Sequence, residues 1–487
     1  MAVRHAVPRL AARPVALVAG VVAVVHLALA AVPRAWFDED LMLAIGRHHL
    51  DWGAVDQPPL TPLLARLADT IAPGSQFVLA VPAVLAAAGA VLLTALMARE
   101  LGGDARAQTL AALGQCTCVA AAQFGHWLTP YSLEPALWAA ICWLLLRWLR
   151  LRDDRLLLAL GAVAGITAQT RFQVMALGVL VVAAVALTGP RALLGRPAFW
   201  AGTAIALVIA APTLIWQAAN GWPQLAMAGV VSTENSLIYG SPLLVAGHGL
   251  LVTGPLTLGL AVCGLLALYR EPRWRDLRFL GVAFVVLFAV VVISSGRHYY
   301  LLPLYSVLVA LGAVALQHRR EAGRARAAWP VVALSAVLAV AGLASSVVLA
   351  SPKFAGPLVA ATARAYHDLP PWQRERTAVG ANPYVYAAYL DAAAPELGLP
   401  AAVSPNRAYG WFTPPPDHQD HLLLAGDPDQ LRPWFTDVRA LTVVESATPL
   451  GTYGGLVSES ATIWLLSGRT GPWTDIWPAL RDLALEP

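Results

Sequence analysis

Trp36-Phe37-Asp38-Glu39-Asp40 places three acids side by side at the end of an apolar run. Gly46-Arg47-His48 and then Asp56-Gln57-Pro58-Pro59-Leu60 follow closely. Two readings suit such a cluster. In one, the acids are ordinary solvated loop residues beside a membrane. In the other, one carboxylate is a general base facing a lipid-carried substrate, help worth about 10²–10⁴-fold in rate. Further along, Glu134 stands near the start of another apolar run, and Arg171 and Arg297 stand in short breaks between runs. A charge at membrane depth is expensive, so arginines in such places are expected to face a polar cavity. The remaining candidates point to simpler roles. His48 and His49 lack the spacing of metal ligands, and His126 is isolated in its loop. Cys116, Cys118, Cys142 and Cys263 all lie inside apolar runs, where a small buried hydrophobe is the expected role.

The elements that must position these residues are membrane helices. The chain has 487 residues, of which 58% are hydrophobic and only 13% charged, with mean hydropathy +0.62. Soluble domains carry roughly 25% charged residues, so lipid is the expected solvent. In hydrocarbon each segment must satisfy its own backbone, which long apolar helices do. A span takes about 20 residues. About eleven spans are expected, near 14–32, 76–97, 107–124, 133–150, 155–170, 172–188, 198–217, 243–269, 279–295, 299–317 and 329–350. The first follows Arg4, Arg9 and Arg13 as a signal peptide would, but no small-residue cleavage site followed by a soluble domain is evident. It reads as a retained helix.

Charge sets the orientation. The net charge is only +4, and Lys353 is the one lysine. The N-terminal tail and every second loop thereafter hold nineteen arginines, against five (Arg34, Arg47, Arg66, Arg171 and Arg297) in the intervening short loops. Arginines between apolar spans point to orientation and not to a nucleic-acid partner. The positive-inside rule then puts the N-terminus in the cytoplasm of a multi-pass cell-membrane protein and, with an odd number of spans, the C-terminus outside. The expected organisation is a transmembrane domain over 1–350, with a first outer loop at 33–75, and an extracytoplasmic α/β domain over 351–487. In that domain strands are expected at 376–380, 401–404, 421–425, 439–445 and 461–466, and helices near 384–396 and 428–436. Pro414-Pro415-Pro416 marks an exposed turn.

Taken together, these motifs carry a resemblance. Asp38-Glu39, Gly46-Arg47-His48 and Val55-Asp56-Gln57-Pro58-Pro59-Leu60 resemble the first outer loop of the bacterial family-39 glycosyltransferases. That family is related to the protein O-mannosyltransferases and to the aminoarabinose transferase of lipid A. The likeness continues at Gly125-His126 through Glu134 and Trp138, then at Leu214-Ile215-Trp216-Gln217 with Asn220-Gly221-Trp222-Pro223. It recurs at Gly296-Arg297-His298-Tyr299-Tyr300-Leu301-Leu302-Pro303, and Asn406 with Tyr409-Gly410-Trp411 resembles a family segment in the C-terminal domain. The order and spacing hold over most of the chain.

The resemblance implies a mainly α, polytopic GT-C fold with a small C-terminal α/β domain. It implies transfer of a sugar from a polyprenyl-phosphate donor to an acceptor on the outer face, with inversion. The acceptor class (lipid, glycan, protein or small molecule) stays open. Asp38 matches the family's base, and Glu39 its partner, which orients Asp38 or contacts the acceptor; Asp40 stands where relatives usually carry an apolar or aromatic residue. Arg47, His48, Asp56 and Gln57 are implied as substrate-binding, as are His298, Tyr299 and Tyr300, although the two tyrosines also suit an interfacial aromatic belt. Glu134 either binds sugar hydroxyls or a divalent cation, or is a helix-start acid favoured by the dipole. No cofactor is fixed beyond that open cation. The departing lipid phosphate needs a cationic clamp. Arg171 and Arg297 match basic positions of the family, and guanidinium grips phosphate bidentately. Interfacial snorkelling is the alternative for both. A transporter or flippase of a lipid-linked or anionic substrate is the competing class, but such folds usually show a repeat of broken helices near the midplane, which the sequence lacks. A membrane assembly protein is the third class, and the multiple motif matches argue against it.

Overall fold

The computed structural model describes residues 7–324, 329–445 and 460–485, so Arg4 and Arg326 of the orientation count lie outside the described residues. Seven helices among these residues are long and apolar enough to cross a membrane: Ala12–Ala30, Gln76–Glu100, Pro130–Leu151, Pro197–Ala219, Pro272–Ile293, His298–Glu321 and Trp329–Leu349. Pro223–Tyr239 and Pro242–Thr253 make an eighth if counted as one broken span, and Arg155–Ala168, Gln173–Thr188 and Pro255–Arg270 are apolar but shorter. The chain is a multi-span membrane protein. Its helices expose large apolar side chains such as Leu17, Val208, Ile215 and Val337, which lipid tolerates and water does not.

Two of the expected spans are interrupted. Residues 107–124 form Ala105–Cys116 and Val119–Phe124, with Thr117 and Cys118 between them. Residues 243–269 are split at Gly254-Pro255, where Pro242–Thr253 ends and Pro255–Arg270 begins. Proline lacks the donor that would continue the first helix, but is well placed in the first turn of the second. The Gly-Pro pair was the sequence signal for this break, and the hydrophobic run obscured it.

The chain divides into two compact units. The first comprises residues 1–31, 80–215 and 241–346. Its core is helix Leu302–Glu321, buried continuously from Leu302 to Ala315. Apolar side chains gain little by leaving lipid for protein, so close van der Waals packing and interhelical hydrogen bonds must hold such a bundle together. Both are present. A Cβ on Gly312 would lie 1.9 Å from the Leu260 carbonyl oxygen, and one on Gly264 would lie 2.2 Å from that of Leu308. Only glycine lets these two backbones meet. Thr257 donates to the Gly114 carbonyl at 2.6 Å, Thr213 to Gln169 at 2.6 Å and Ser306 to Gln115 at 2.9 Å.

The second unit comprises residues 32–79, 216–240 and 347–487. Its sheet has strands β1 (Thr377–Asn382), β2 (His421–Gly426), β3 (Phe435–Val444) and β4 (Ala461–Arg469) in the order β1-β2-β4-β3. β1 and β2 are parallel, and the other pairs are antiparallel. A parallel pair needs a long crossover, and helix Tyr384–Leu397 lies within it. Trp473, Trp477, Leu466 and Leu424 form the core against one face. Four of the five expected strands are present. The fifth, 401–404, supplies one bridge between Val403 and Gly380. The helix expected over 428–436 is a 3-10 turn at Arg432–Trp434, because β3 takes up the chain from Phe435. Helix Phe37–His48 packs on both Leu60–Ile71 and Tyr384–Leu397.

Candidate active site

The acid cluster forms the first turn of helix Phe37–His48, where the dipole favours negative charge. The three acids have three different environments. Glu39 is buried and takes a side-on pair from Arg34, Nε to Oε2 at 2.8 Å and Nη2 to Oε1 at 3.1 Å. Arg34 in turn donates to the Gln76 carbonyl at 2.7 Å. Asp40 is buried on the core side, and its Oδ2 has no hydrogen-bond partner among the described residues. Burial, with the Glu39 carboxylate adjacent, pushes its carboxyl well above the usual range despite Arg34 and Arg47, which favours the neutral acid. Asp38 alone of the three is half-buried, and its Oδ1 accepts a hydrogen bond from the Tyr384 hydroxyl at 3.2 Å.

Arg47 and His48, at the far end of the same helix, are engaged within the fold. Arg47 forks onto Asp69, Nε to Oδ2 at 2.9 Å and Nη2 to Oδ1 at 2.7 Å. That hydrogen-bonded pair holds the Asp69 carboxyl below the usual range. His48 Nε2 lies 3.4 Å from Asp391, which also accepts from the Ala402 backbone N–H and the Tyr409 hydroxyl. Bidentate pairs of this kind fix geometry as well as adding energy.

The segment carrying Asp56 and Gln57 is pinned from below. Trp216 Nε1 donates to Asp51 at 2.8 Å, and Gln217 donates to the Ala54 carbonyl at 3.4 Å. Gln224 donates to the Asp56 carbonyl at 3.3 Å. Gly53 lies flat on the Trp216 ring, where a Cβ would come within 2.8 Å of Cε3. Gly53→Ala is therefore expected to lift the loop off the indole and lower stability by about 1–3 kcal/mol, as overpacking does. Thermal unfolding checks this, and a variant as stable as the parent would show that the contact does not hold the loop.

A second group of expected site residues belongs to the first unit. Arg171 lies in the turn between Arg155–Ala168 and Gln173–Thr188 with its side chain 12% exposed, and its Nη1 is 3.8 Å from Glu134 Oε2. The ring centroids of Tyr131, Tyr299 and Tyr300 surround the guanidinium carbon at 5.9, 5.3 and 5.0 Å. Three aromatic faces and one carboxylate hold this cation in a low-dielectric site. His298 packs edge-on against Tyr299 at 5.5 Å and His248 at 4.7 Å, and Arg297 precedes the 3-10 turn His298–Leu301. Glu134 lies just past the first turn of helix Pro130–Leu151, whose start is organised by reciprocal Thr129 and Ser132 bonds. No cluster of three or more His, Cys, Asp or Glu suited to a metal ion occurs among the described residues.

Residues 56–216 match the family model described as dolichyl-phosphate-mannose-protein mannosyltransferase, a third of the chain. No curated protein matches the sequence. Two solved structures match the architecture almost end to end. ArnT from Cupriavidus metallidurans in the apo state is 16% identical, with a TM-score of 0.63 over 92% of this chain and 97% of that one. The same protein bound to undecaprenyl phosphate gives 16% identity and a TM-score of 0.62 over 93% and 98%. The fold is GT-C. The likeness drawn from the loop motifs holds in the family match and in the GT-C fold alike. Within this GT-C chain, sequence reasoning passed over Tyr384, Arg407, Glu234, Asp391 and Asp69. Glu234 carried a signal, as the one charged residue of apolar helix Pro223–Tyr239. Tyr384 carried none.

Proposed function

We propose that this protein is an integral membrane glycosyltransferase. It moves a sugar from a polyprenyl-phosphate donor to an acceptor hydroxyl, with inversion at the anomeric carbon and Asp38 as the base. The observation that carries this reading is the sorting of the acid cluster. Glu39 is tied to Arg34 and Asp40 is buried towards its neutral form, whereas Asp38 keeps solvent exposure. Direct displacement needs one ionised, reachable carboxylate to take the acceptor proton as the bond from anomeric carbon to phosphate oxygen breaks. Arg171, with Arg297, His298, Tyr299 and Tyr300, is proposed to bind the donor phosphate, and Glu134 to hold the Arg171 guanidinium in place. Arg47 and His48 serve the site by fixing helix Phe37–His48, while Asp56 and Gln57 meet the sugar or acceptor. The ligand named for the ArnT structure, undecaprenyl phosphate, supports the donor class.

The test uses the purified full chain in proteoliposomes supplied with a polyprenyl-phosphate sugar. A glycosyltransferase releases free polyprenyl phosphate in step with sugar transferred or hydrolysed, and the product anomer is inverted. A flippase carries the lipid across with its glycosidic bond intact, and that result would replace this reading.

The proposed orientation has the N-terminus in the cytoplasm of the cell membrane and the C-terminal segment outside. A reporter fused after residue 350 is expected to be active only on the outer side, and one fused near Arg275 only in the cytoplasm. The reverse pattern would put Asp38 on the wrong face for an outer-leaflet reaction.

A further inference from the structure

Within the second unit a chain of buried polar groups ends on Asp38. Glu234, on helix Pro223–Tyr239, forms an ion pair with Arg407 at the start of the 3-10 turn Arg407–Trp411. Both side chains are more than nine-tenths buried, and Arg407 Nε also donates to the Leu483 carbonyl at 3.2 Å. The Arg407 guanidinium lies over the ring of Tyr384, 5.0 Å from its centroid. Tyr384 opens helix Tyr384–Leu397, where its backbone N–H donates to Asn406 Oδ1 at 3.2 Å and its ring packs edge-on against Phe37 at 6.2 Å. Its hydroxyl then reaches Asp38. An ion pair this deep is weak evidence for stability, since desolvation offsets much of the attraction. A fully satisfied chain of this kind instead fixes one geometry.

We propose that Tyr384 is a positioning residue for Asp38, its hydroxyl donating to Oδ1 so that the carboxylate is oriented and stays ionised until it takes the acceptor proton. This rests on the reading of Asp38 as the base. Arg407 and Glu234 lock the tyrosine ring from behind. The groups facing Tyr384 are Asp38 on helix Phe37–His48, Asp56 in the following loop, Glu234 and Arg407. Burial and the Asp38 carboxylate push the hydroxyl well above the usual tyrosine range, with Arg407 opposing, so Tyr384 stays a neutral donor. A hydrogen bond to the charged form of an acid lowers its pKa, and removing that bond raises it. The acid limb of activity therefore moves to higher pH when the hydroxyl is lost.

The test is Tyr384→Phe, which keeps the ring under Arg407 and removes only the donor. In steady-state transfer by the full chain in proteoliposomes, the acid limb of the rate is expected to move up by about one pH unit, the scale of one modest hydrogen bond, with the donor KM unchanged. An unmoved limb, or a changed KM with the pH profile intact, overturns the proposal. Two further measurements keep it open to refutation. Asp38→Asn combined with Tyr384→Phe should transfer no more slowly than Asp38→Asn alone, because the tyrosine acts through the acid; additive losses overturn it. The protonated-carboxyl infrared band, isolated by subtracting the Asp38→Asn spectrum, should titrate at higher pH in Tyr384→Phe than in the parent. That readout needs no turnover. A parent inactive in transfer with the infrared shift present removes the transferase reading and upholds the hydrogen bond's effect on Asp38. An active parent without the shift does the opposite.

Discussion

Asp38→Asn is expected to reduce single-turnover sugar transfer by about 10²–10⁴-fold with donor binding nearly intact. Asparagine keeps the shape and can still accept from the Tyr384 hydroxyl, but it cannot take up the acceptor proton. Asp40→Asn is the matched control. Asp40 is buried, and burial beside Glu39 favours its neutral acid. Asparagine imitates that neutral form, so transfer should change little. If the cluster served only to anchor the helix, both variants would lose melting temperature and transfer together. Melting temperatures measured alongside transfer separate the two cases. Near-normal transfer by Asp38→Asn, or a dead Asp40→Asn of unaltered stability, would remove Asp38 from its role.

The second large effect is expected at Arg171. Loss of a charge-assisted contact to phosphate costs about 1.5–3 kcal/mol, so Arg171→Ala should weaken polyprenyl-phosphate binding roughly 10–150-fold. The same change also strands Glu134, and an acid left buried without its counter-charge destabilises the fold. Adding Glu134→Gln separates these effects. The double variant should regain the parent's melting temperature while its donor affinity stays low. Recovery of both would mean that Arg171 serves the bundle alone. Arg171→Lys is expected to restore binding only in part, because an ammonium lacks the planar fork that stacks on Tyr299 and Tyr300.

Hydropathy located the membrane helices because a span must satisfy its own backbone, a demand visible in any run of about 20 apolar residues. It was less able to find interruptions. The breaks at Thr117-Cys118 and Gly254-Pro255 lie inside stretches that each read as one span, where average hydrophobicity carries no information about backbone continuity. In the C-terminal segment, β1, β2, β3 and β4 were legible because each combines apolar content with flanking turn residues. Residues 401–404 share that pattern, yet they meet β1 through one bridge, and nothing local distinguishes the two outcomes. Tertiary pairing made the choice.

The candidate site shows the same division. Charge beside apolar runs made the acid cluster, Arg171 and Arg297 conspicuous, while the choice of Asp38-Glu39 and of His298, Tyr299 and Tyr300 came from the family resemblance. Which of the three adjacent acids keeps solvent exposure could not be read from their types, because consecutive helical residues point about 100° apart and only packing fixes which direction is buried. The fold turned Glu39 onto Arg34, Asp40 into the core and Asp38 towards Tyr384, a residue 346 positions away. Composition and the length of the apolar runs determined that this chain is a membrane bundle with acids beside the end of a span; that these acids open helix Phe37–His48 came only with the structure. Only long-range packing, which no local pattern encodes, decided which acid keeps solvent exposure and which side chain bonds to it.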